Sequence, residues 1–361
     1  MAKTDKLGAL RERIDELDKT IQQLINERAR CARETAGIKK DGDPHAPLYR
    51  PEREAQVLRR VLERNEGPLD NEEMARLFRE IMSACLALEQ PLKVAFLGPE
   101  GTFTQAAALK HFGHSVNTTA LVTIDEVFRE VESKAVNYGV VPIENSTEGV
   151  VNYTLDMFLQ SALSICGEVE LRIHHHLLSV VADIGVVARV YSHQQSFAQC
   201  REWLDTHVPG AERVTVNSNA EAARRAAAEP GAAAIAGETA AEIYQLGVLK
   251  RNIEDHPDNT TRFLIIGRQG VQPSGDDKTS LLVSAQNRPG SLFRLLEPLA
   301  RNGVSMTRIE SRPSRSANWE YVFFLDMEGH QDDDNVATAF EELRREADLF
   351  RVLGSYPRAV L

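Results

Sequence analysis

From Leu7 onward the apolar residues step alternately by three and four: Leu7, Leu10, Ile14, Leu17, Ile21 and Leu24. That spacing is a heptad seam along one face of a helix. Continued, the same steps reach Arg28 and Cys31. A helix over about residues 5–38 would be roughly 50 Å long at 1.5 Å per residue. It cannot bury its seam alone, so it needs other helices, with a second copy of the chain as their source. No strand pattern occurs over residues 5–90. DGDPHAP (41–47) breaks the first helix, and Pro51 suits the first turn of a second. Val57, Leu58, Val61 and Leu62 form the apolar face of that second helix. After NEGPLDN (65–71), a third helix uses Met74, Phe78, Met82 and Cys85, and its next seam position is Glu89.

Arg28 and Glu89 stand where leucine would suit a bundle. Burying a charge without a partner is costly. One reading is a buried Arg28–Glu89 pair, or a seam that ends early and leaves both wet. The other is a ligand pocket lined by Arg11, Arg28, Lys39, Arg53 and Glu54, whose cations suit a small dicarboxylate.

The period changes at Lys93, with only Gln90-Pro91 between the third helix and a strand. VAFLG, YGVVPIE, HLLSVVA, AAIAG and RFLIIG read as strands buried on both faces, separated by helical stretches. This alternation predicts α/β architecture with parallel sheets, in two lobes with a cleft between them. Three polar clusters follow strands: GPEGTFTQ (98–105), PIENSTEG (142–149) and NTTRFLIIG (259–267). The end of a buried strand is where α/β sheets place ligands. Turn and cap chemistry accounts for any one of these clusters alone. HHH (174–176) is a poor metal site, because adjacent strand residues face opposite ways. VQPSGDDK (271–278) is a linker by composition. Beyond it the order is βαββαβ, an α+β ferredoxin-like pattern. The chain is therefore expected to be multidomain: an all-α domain at 1–91, a two-lobed α/β domain at 92–270 and an α+β domain at 278–361.

The chain of 361 residues exceeds one ordinary core, and its net charge of −11 argues against nucleic acid as a partner. No run is long enough to span a membrane, and the charged N-terminus has no signal-type apolar stretch. Cys31, Cys85, Cys166 and Cys200 form no CxxC pair, as in free thiols of a reducing, cytoplasmic setting.

LGALRERIDELDKTIQQLINERARCARETAGIKK followed by YRPEREAQVL resembles the all-helical chorismate mutases, which are intertwined dimers. The resemblance implies that Arg28 and Arg11, the latter from the partner chain, hold the two carboxylates of chorismate. It also implies that Lys39 contacts the ether oxygen, and that Arg53 and Glu54 form the family's Arg-Glu pair, with Glu54 on the ring hydroxyl. Cys85 and Glu89 depart from the family, standing where its best-known members carry serine and glutamine. GPEGTF, PIENS, SHQQSFAQC and TTRF resemble the prephenate dehydratases in the family's order. That resemblance implies a solute-binding-protein-like fold with Thr261 as lead catalytic residue. Asn145, Ser146, Ser192 and Gln199 would line the site, with Glu144 and Arg262 beside it. By charge, Arg262 is the expected partner of a substrate carboxylate. QNRPGSLF and ESRP resemble an ACT domain. This implies L-phenylalanine binding between paired domains through Asn287, Pro289, Gly290, Ser291, Leu292, Glu310, Ser311 and Arg312.

Together these resemblances imply a homo-oligomer, at least a dimer, that converts chorismate to prephenate and then to phenylpyruvate without cofactor or metal. The rival reading is a non-enzymatic anion or amino-acid sensor with a helical dimerisation module. A Claisen rearrangement needs no proton transfer. It needs a constrained substrate and stabilisation of negative charge growing on the ether oxygen. An ionised Glu89 accepts hydrogen bonds only and would repel that charge. Mutase activity is therefore expected to fall as pH rises through the ionisation of Glu89, and Glu89→Gln to flatten the profile. Identical pH profiles for the two proteins would remove Glu89 from the mechanism.

Overall fold

The computed structural model describes residues 2–42, 49–286, 288–313 and 321–360. Asn287 lies outside the described residues. Three helices come first: α1 (Ala2–Gly42), α2 (Pro51–Glu63) and α3 (Asn71–Ala87). Pro51 opens α2, and the Asp70 side chain accepts from the Glu73 N–H at 2.8 Å to cap α3. The seam of α1 stands in solvent, with Leu10 and Ile14 each 54% exposed. α3 stops at Ala87, so Glu89 sits in the following turn, not on the helix, and its N–H bonds to the Leu86 carbonyl at 2.9 Å.

The first lobe runs β1 (Lys93–Leu97), α4 (Phe103–Phe112), β2 (Asn117–Leu121), α5 (Ile124–Glu132), β3 (Tyr138–Asn145), β4 (Gly149–Val150), α6 (Asn152–Gln160) and β5 (Ser164–Arg172). The second runs β6 (His176–Ser179), β7 (Arg189–His193), α7 (Gln194–Gln199), α8 (Arg201–His207), β8 (Glu212–Val216), α9 (Asn219–Ala228), β9 (Ala232–Ala236), α10 (Glu238–Ile243) and β10 (Gly247–Lys250). β11 (Thr260–Gly267) then returns to the first lobe. The first sheet has the order β2-β1-β3-β11-β5, with β4 against β3, and the second β10-β6-β9-β7-β8. Both are mixed, which corrects the parallel expectation. β11 enters antiparallel to β3 and β5, because the chain comes back from the second lobe in the reverse direction.

The last domain is β12 (Asp277–Ser284), α11 (Ser291–Arg301), β13 (Met306–Pro313), β14 (Tyr321–Glu328), α12 (Asp334–Glu346) and β15 (Leu349–Pro357). Its antiparallel sheet is ordered β13-β14-β12-β15. Alternation along β12 divides its side chains between two cores. Leu281 and Val283 pack with Leu295, Leu299, Phe340 and Leu343 of α11 and α12. Leu282 joins Phe324, Leu353 and Tyr356 against Ile165, Leu264 and Ile266 of the first lobe.

The helical domain is docked, not tethered. Leu86 and Tyr49 share a core with Phe112 and Tyr138. Arg79 Nη1 donates to the Lys110 carbonyl at 2.8 Å. Tyr49 Oη lies 3.1 Å from His111 Nε2, and burial, helped by Arg79, pushes the His111 pKa down to about 3, so the ring is neutral there. At the opposite face a Cβ on Gly354 would lie 2.2 Å from the Ile165 carbonyl oxygen, so β15 touches β5 backbone to backbone. Gly354→Ala is expected to cost about 1–3 kcal/mol by overpacking this join, read as a lower melting temperature. An unchanged melting temperature would mean that the two sheets separate freely.

Candidate active sites

The helical domain and the two-lobed domain each hold a cleft. The helical cleft, of about 400 Å³, brings together Arg28, Lys39, Arg53, Glu54, Cys85 and Glu89, together with Tyr49, Arg50 and Thr35, which the pattern did not single out. Arg11 lies on the exposed stretch of α1, roughly 25 Å along the helix from Arg28, and takes no part in it. Glu54 also faces inward, 3.5 Å from Arg79 Nε. Burial raises the Glu54 pKa to about 7, against the lowering effect of Arg79. Arg79 was missed because it continues no apolar pattern; the contacts of Arg79 with Lys110, Glu80 with His114 and Ser83 with Ser115 show that α3 turns this face to the first lobe.

The second cleft, of about 340 Å³, lies between the lobes and is lined by residues of both. Asn145 and Thr261 are register partners at the ends of β3 and β11. Asn145 Nδ2 donates to Thr261 Oγ1 at 2.7 Å and to Asn259 Oδ1 at 2.8 Å. Asn259 Nδ2 in turn donates to Gln199 Oε1 at 3.2 Å, and His175 Nε2 lies 2.7 Å from the same oxygen. Burial lowers the His175 pKa, so the ring is neutral and Nε2–H is the donor. The chain of bonds consumes the oxygens of Asn259 and Gln199. It leaves the Thr261 hydroxyl hydrogen and the Gln199 amide hydrogens free to face the cleft. The starts of α4 and α9 border the same space through Thr102, Phe103, Ser218 and Asn219. Gln195 Nε2 donates to Glu148 Oε2 across the two lobes.

Four expected residues are elsewhere. β11 alternates, so Arg262, next to Thr261, points to the opposite face. There Arg262 binds Glu168 at 2.8 Å, Asp326 at 2.5 Å and Tyr356 at 3.0 Å, which corrects its expected role on a substrate carboxylate. Glu144 also faces away and meets Arg308 at 2.9 Å. Ser192 is fully buried beneath α7 and bonds to Asn219 Oδ1 at 3.4 Å. Ser146 lies outside the cleft lining and staples the loop before β11, its hydroxyl accepting from the Thr260 N–H at 2.9 Å. Among the described residues the cleft lining holds no arginine or lysine. In HHH, His174 and His176 stack 6.5 Å apart on one side while His175 faces the cleft. The alternation that argued against a metal site could have picked out His175. No group of three potential metal ligands occurs among the described residues.

In the last domain, Gly290 adopts a left-handed φ of +80° before α11, which glycine allows without strain. Ser291 Oγ donates to the Gln286 carbonyl at 2.7 Å, and Leu292 is half-exposed. Ser311 is on the open side of β13, whereas Arg312 turns inward to Asp156 of α6 at 2.8 Å. That engagement corrects the placing of Arg312 on a ligand.

Fold and clefts together define a class: a multidomain enzyme with a helical module, a two-lobed α/β module and an ACT-type module. The chorismate mutase type II family matches residues 10–90, the prephenate dehydratase family 94–271 and the ACT domain 279–345. A bifunctional chorismate mutase/prephenate dehydratase of Pseudomonas aeruginosa is 60% identical over 100% of both chains. A solved prephenate dehydratase of Arthrobacter aurescens in complex with L-Phe is 35% identical and covers 74% of this chain and 90% of its own, with a TM-score of 0.68. A protein described as a novel type of quorum quenching acylase is 29% identical and covers 74% of this chain and 98% of its own, with a TM-score of 0.69. The chain belongs to the family of bifunctional chorismate mutase/prephenate dehydratases. No helix among the described residues is long and apolar enough to cross a membrane.

The raised Glu54 pKa has a sign. The folded carboxyl keeps its proton to higher pH than the unfolded one, so its contribution to stability is full below about 4.5 and is lost as pH rises to about 7. Wild-type melting temperature should therefore fall by several degrees across that window, and Glu54→Gln should remove most of the slope. Parallel slopes would show that Glu54 is ionised throughout.

Proposed function

We propose that the two reactions divide between cations and neutral donors. In the helical cleft, Arg28, Lys39 and Arg53 hold the carboxylates of chorismate and stabilise charge on its ether oxygen. Glu54 holds the ring hydroxyl, and Cys85 and Glu89 close the far wall. Arg11 enters from a second copy, whose α1 covers the exposed seam. The supporting observations are the half-exposed leucines and isoleucines of α1 and the distance that keeps Arg11 from its own cleft. The proposed domain limits are residues 91, 270 and 278, the last of them one residue inside β12.

In the interlobe cleft, prephenate loses carbon dioxide as the C–C bonding pair moves into the ring and the C–O bond of the ring hydroxyl breaks. The observation that carries this reading is the Asn145–Thr261 bond, which fixes the threonine oxygen as acceptor and frees its hydrogen for the departing oxygen. Gln199 supplies a second donor. The carboxylates are held by backbone N–H groups at the starts of α4 and α9 and by neutral amides, since the lining offers no fixed cation. The ACT domain binds L-phenylalanine through the 289–292 turn together with Glu310 and Ser311, and the bound amino acid restrains the dehydratase. Support comes from the L-Phe complex of the Arthrobacter relative.

The test supplies pure protein with chorismate and follows chorismate loss and phenylpyruvate formation. Both should occur in wild type. Thr261→Ala should lower dehydratase turnover by about 100-fold or more and leave the mutase step unchanged. Thr261→Ala turnover within a few-fold of wild type would overturn the assignment.

A further inference from the structure

β3 and β11 carry two different constellations on their two faces at one register. Thr261 pairs with Asn145, and Arg262 pairs with Glu144. The register then shifts before Phe263, which pairs with Pro142. This bulge leaves Ile143 and Glu144 both on the ACT side, while Pro142 and Asn145 line the cleft. The ACT sheet presents a matching pair, since Arg308 of β13 and Asp326 of β14 are also register partners. The four side chains form a square of alternating charge. Arg262 meets Asp326 at 2.5 Å and Arg308 meets Glu144 at 2.9 Å. Burial would raise the Asp326 pKa, but Arg262, Ser280 and Arg308 together hold it below its ordinary value, so the carboxylate is ionised. Arg308 Nη2 is buried without a hydrogen-bond partner, so one corner of the square is incompletely satisfied.

We propose that Glu144 and Arg262 are positioning residues, and that through them the ACT strands Arg308 and Asp326 occupy set the Asn145–Thr261 bond on the far side. No linker lies between the two functions: the reacting hydroxyl and the ACT ion pair are consecutive residues of one strand. A slip of β13 against β14 pulls Glu144 and Arg262 apart and shifts the register partners beside them. Glu310 and Ser311 lie on β13, two and three residues beyond Arg308, so a ligand there acts on the same strand. The proposal rests on the reading of Asn145 and Thr261 as the dehydratase centre.

The experiment uses the full-length chain, with the mutase rate as an internal control of folding. Arg308→Gln should lower dehydratase kcat by about 5-fold or more with KM little changed, and leave the mutase rate intact. Arg308→Lys, which keeps the cation opposite Glu144, should hold kcat to within about 3-fold of wild type, whereas Arg308→Glu should not. Arg308→Gln with kcat within about 2-fold of wild type overturns the coupling, as does a loss in Arg308→Lys as deep as that in Arg308→Glu. Thr261→Ala reads the other premise. Full turnover in that variant sinks the cleft assignment itself, whereas an inactive Thr261→Ala beside a fully active Arg308→Gln sinks the coupling alone.

Discussion

The molecule is organised around one sheet that is buried on both faces. Strands β1, β3 and β11 carry Val94, Phe96, Val140 and Ile265 toward α4 and the helical domain. The intervening residues Ala95, Val141, Leu264 and Ile266 face α5 and the ACT sheet. Each module therefore completes its own core by leaning on this sheet. The period of two that alternates side chains across a strand also decides chemistry here. It sends Thr261 into the cleft and Arg262 into an ion network, although the two are adjacent in sequence.

That network is a cluster of buried charges: Arg262, Lys278, Glu168 and Asp326. Buried ion pairs add little net stability over apolar packing, yet removing one partner strands the other at a cost of about 3–5 kcal/mol. Such a cluster works as a key. It admits one register between the dehydratase and ACT sheets and penalises others.

The sequence was most informative where period and length spoke together. The α1 seam, the switch of regime at Lys93 and the βαββαβ order of the last domain all follow from spacing. Strand direction did not, because nothing in RFLIIG says that the chain re-enters its first sheet from the other end. The site was partly legible. Asn145, Gln199 and Thr261 sit in motifs at strand or helix ends and converge on the cleft. Arg262 and Glu144 misled because charge suggested a ligand, while the alternation beside Thr261, and the bulge beside Asn145, pointed them away. Asn259 and His175 stand inside NTTRFLIIG and HHH, yet neither was singled out, and the hydrogen-bond chain they complete is what gives them weight. The shared fold of an acylase makes the same point from outside: the scaffold permits several chemistries, and the groups at the strand ends select one.

On the proposed pairing, the solvent-facing seam of α1 would give the two activities different molecularity. Residues from both lobes of one copy line the interlobe cleft. The helical cleft, on the proposed pairing, takes its last cation from another. Dilution is then a variable that separates them: a lone chain keeps its dehydratase machinery and leaves its mutase half-built. On that pairing, the concentration of the protein would govern the first step of its own two-step sequence more steeply than the second.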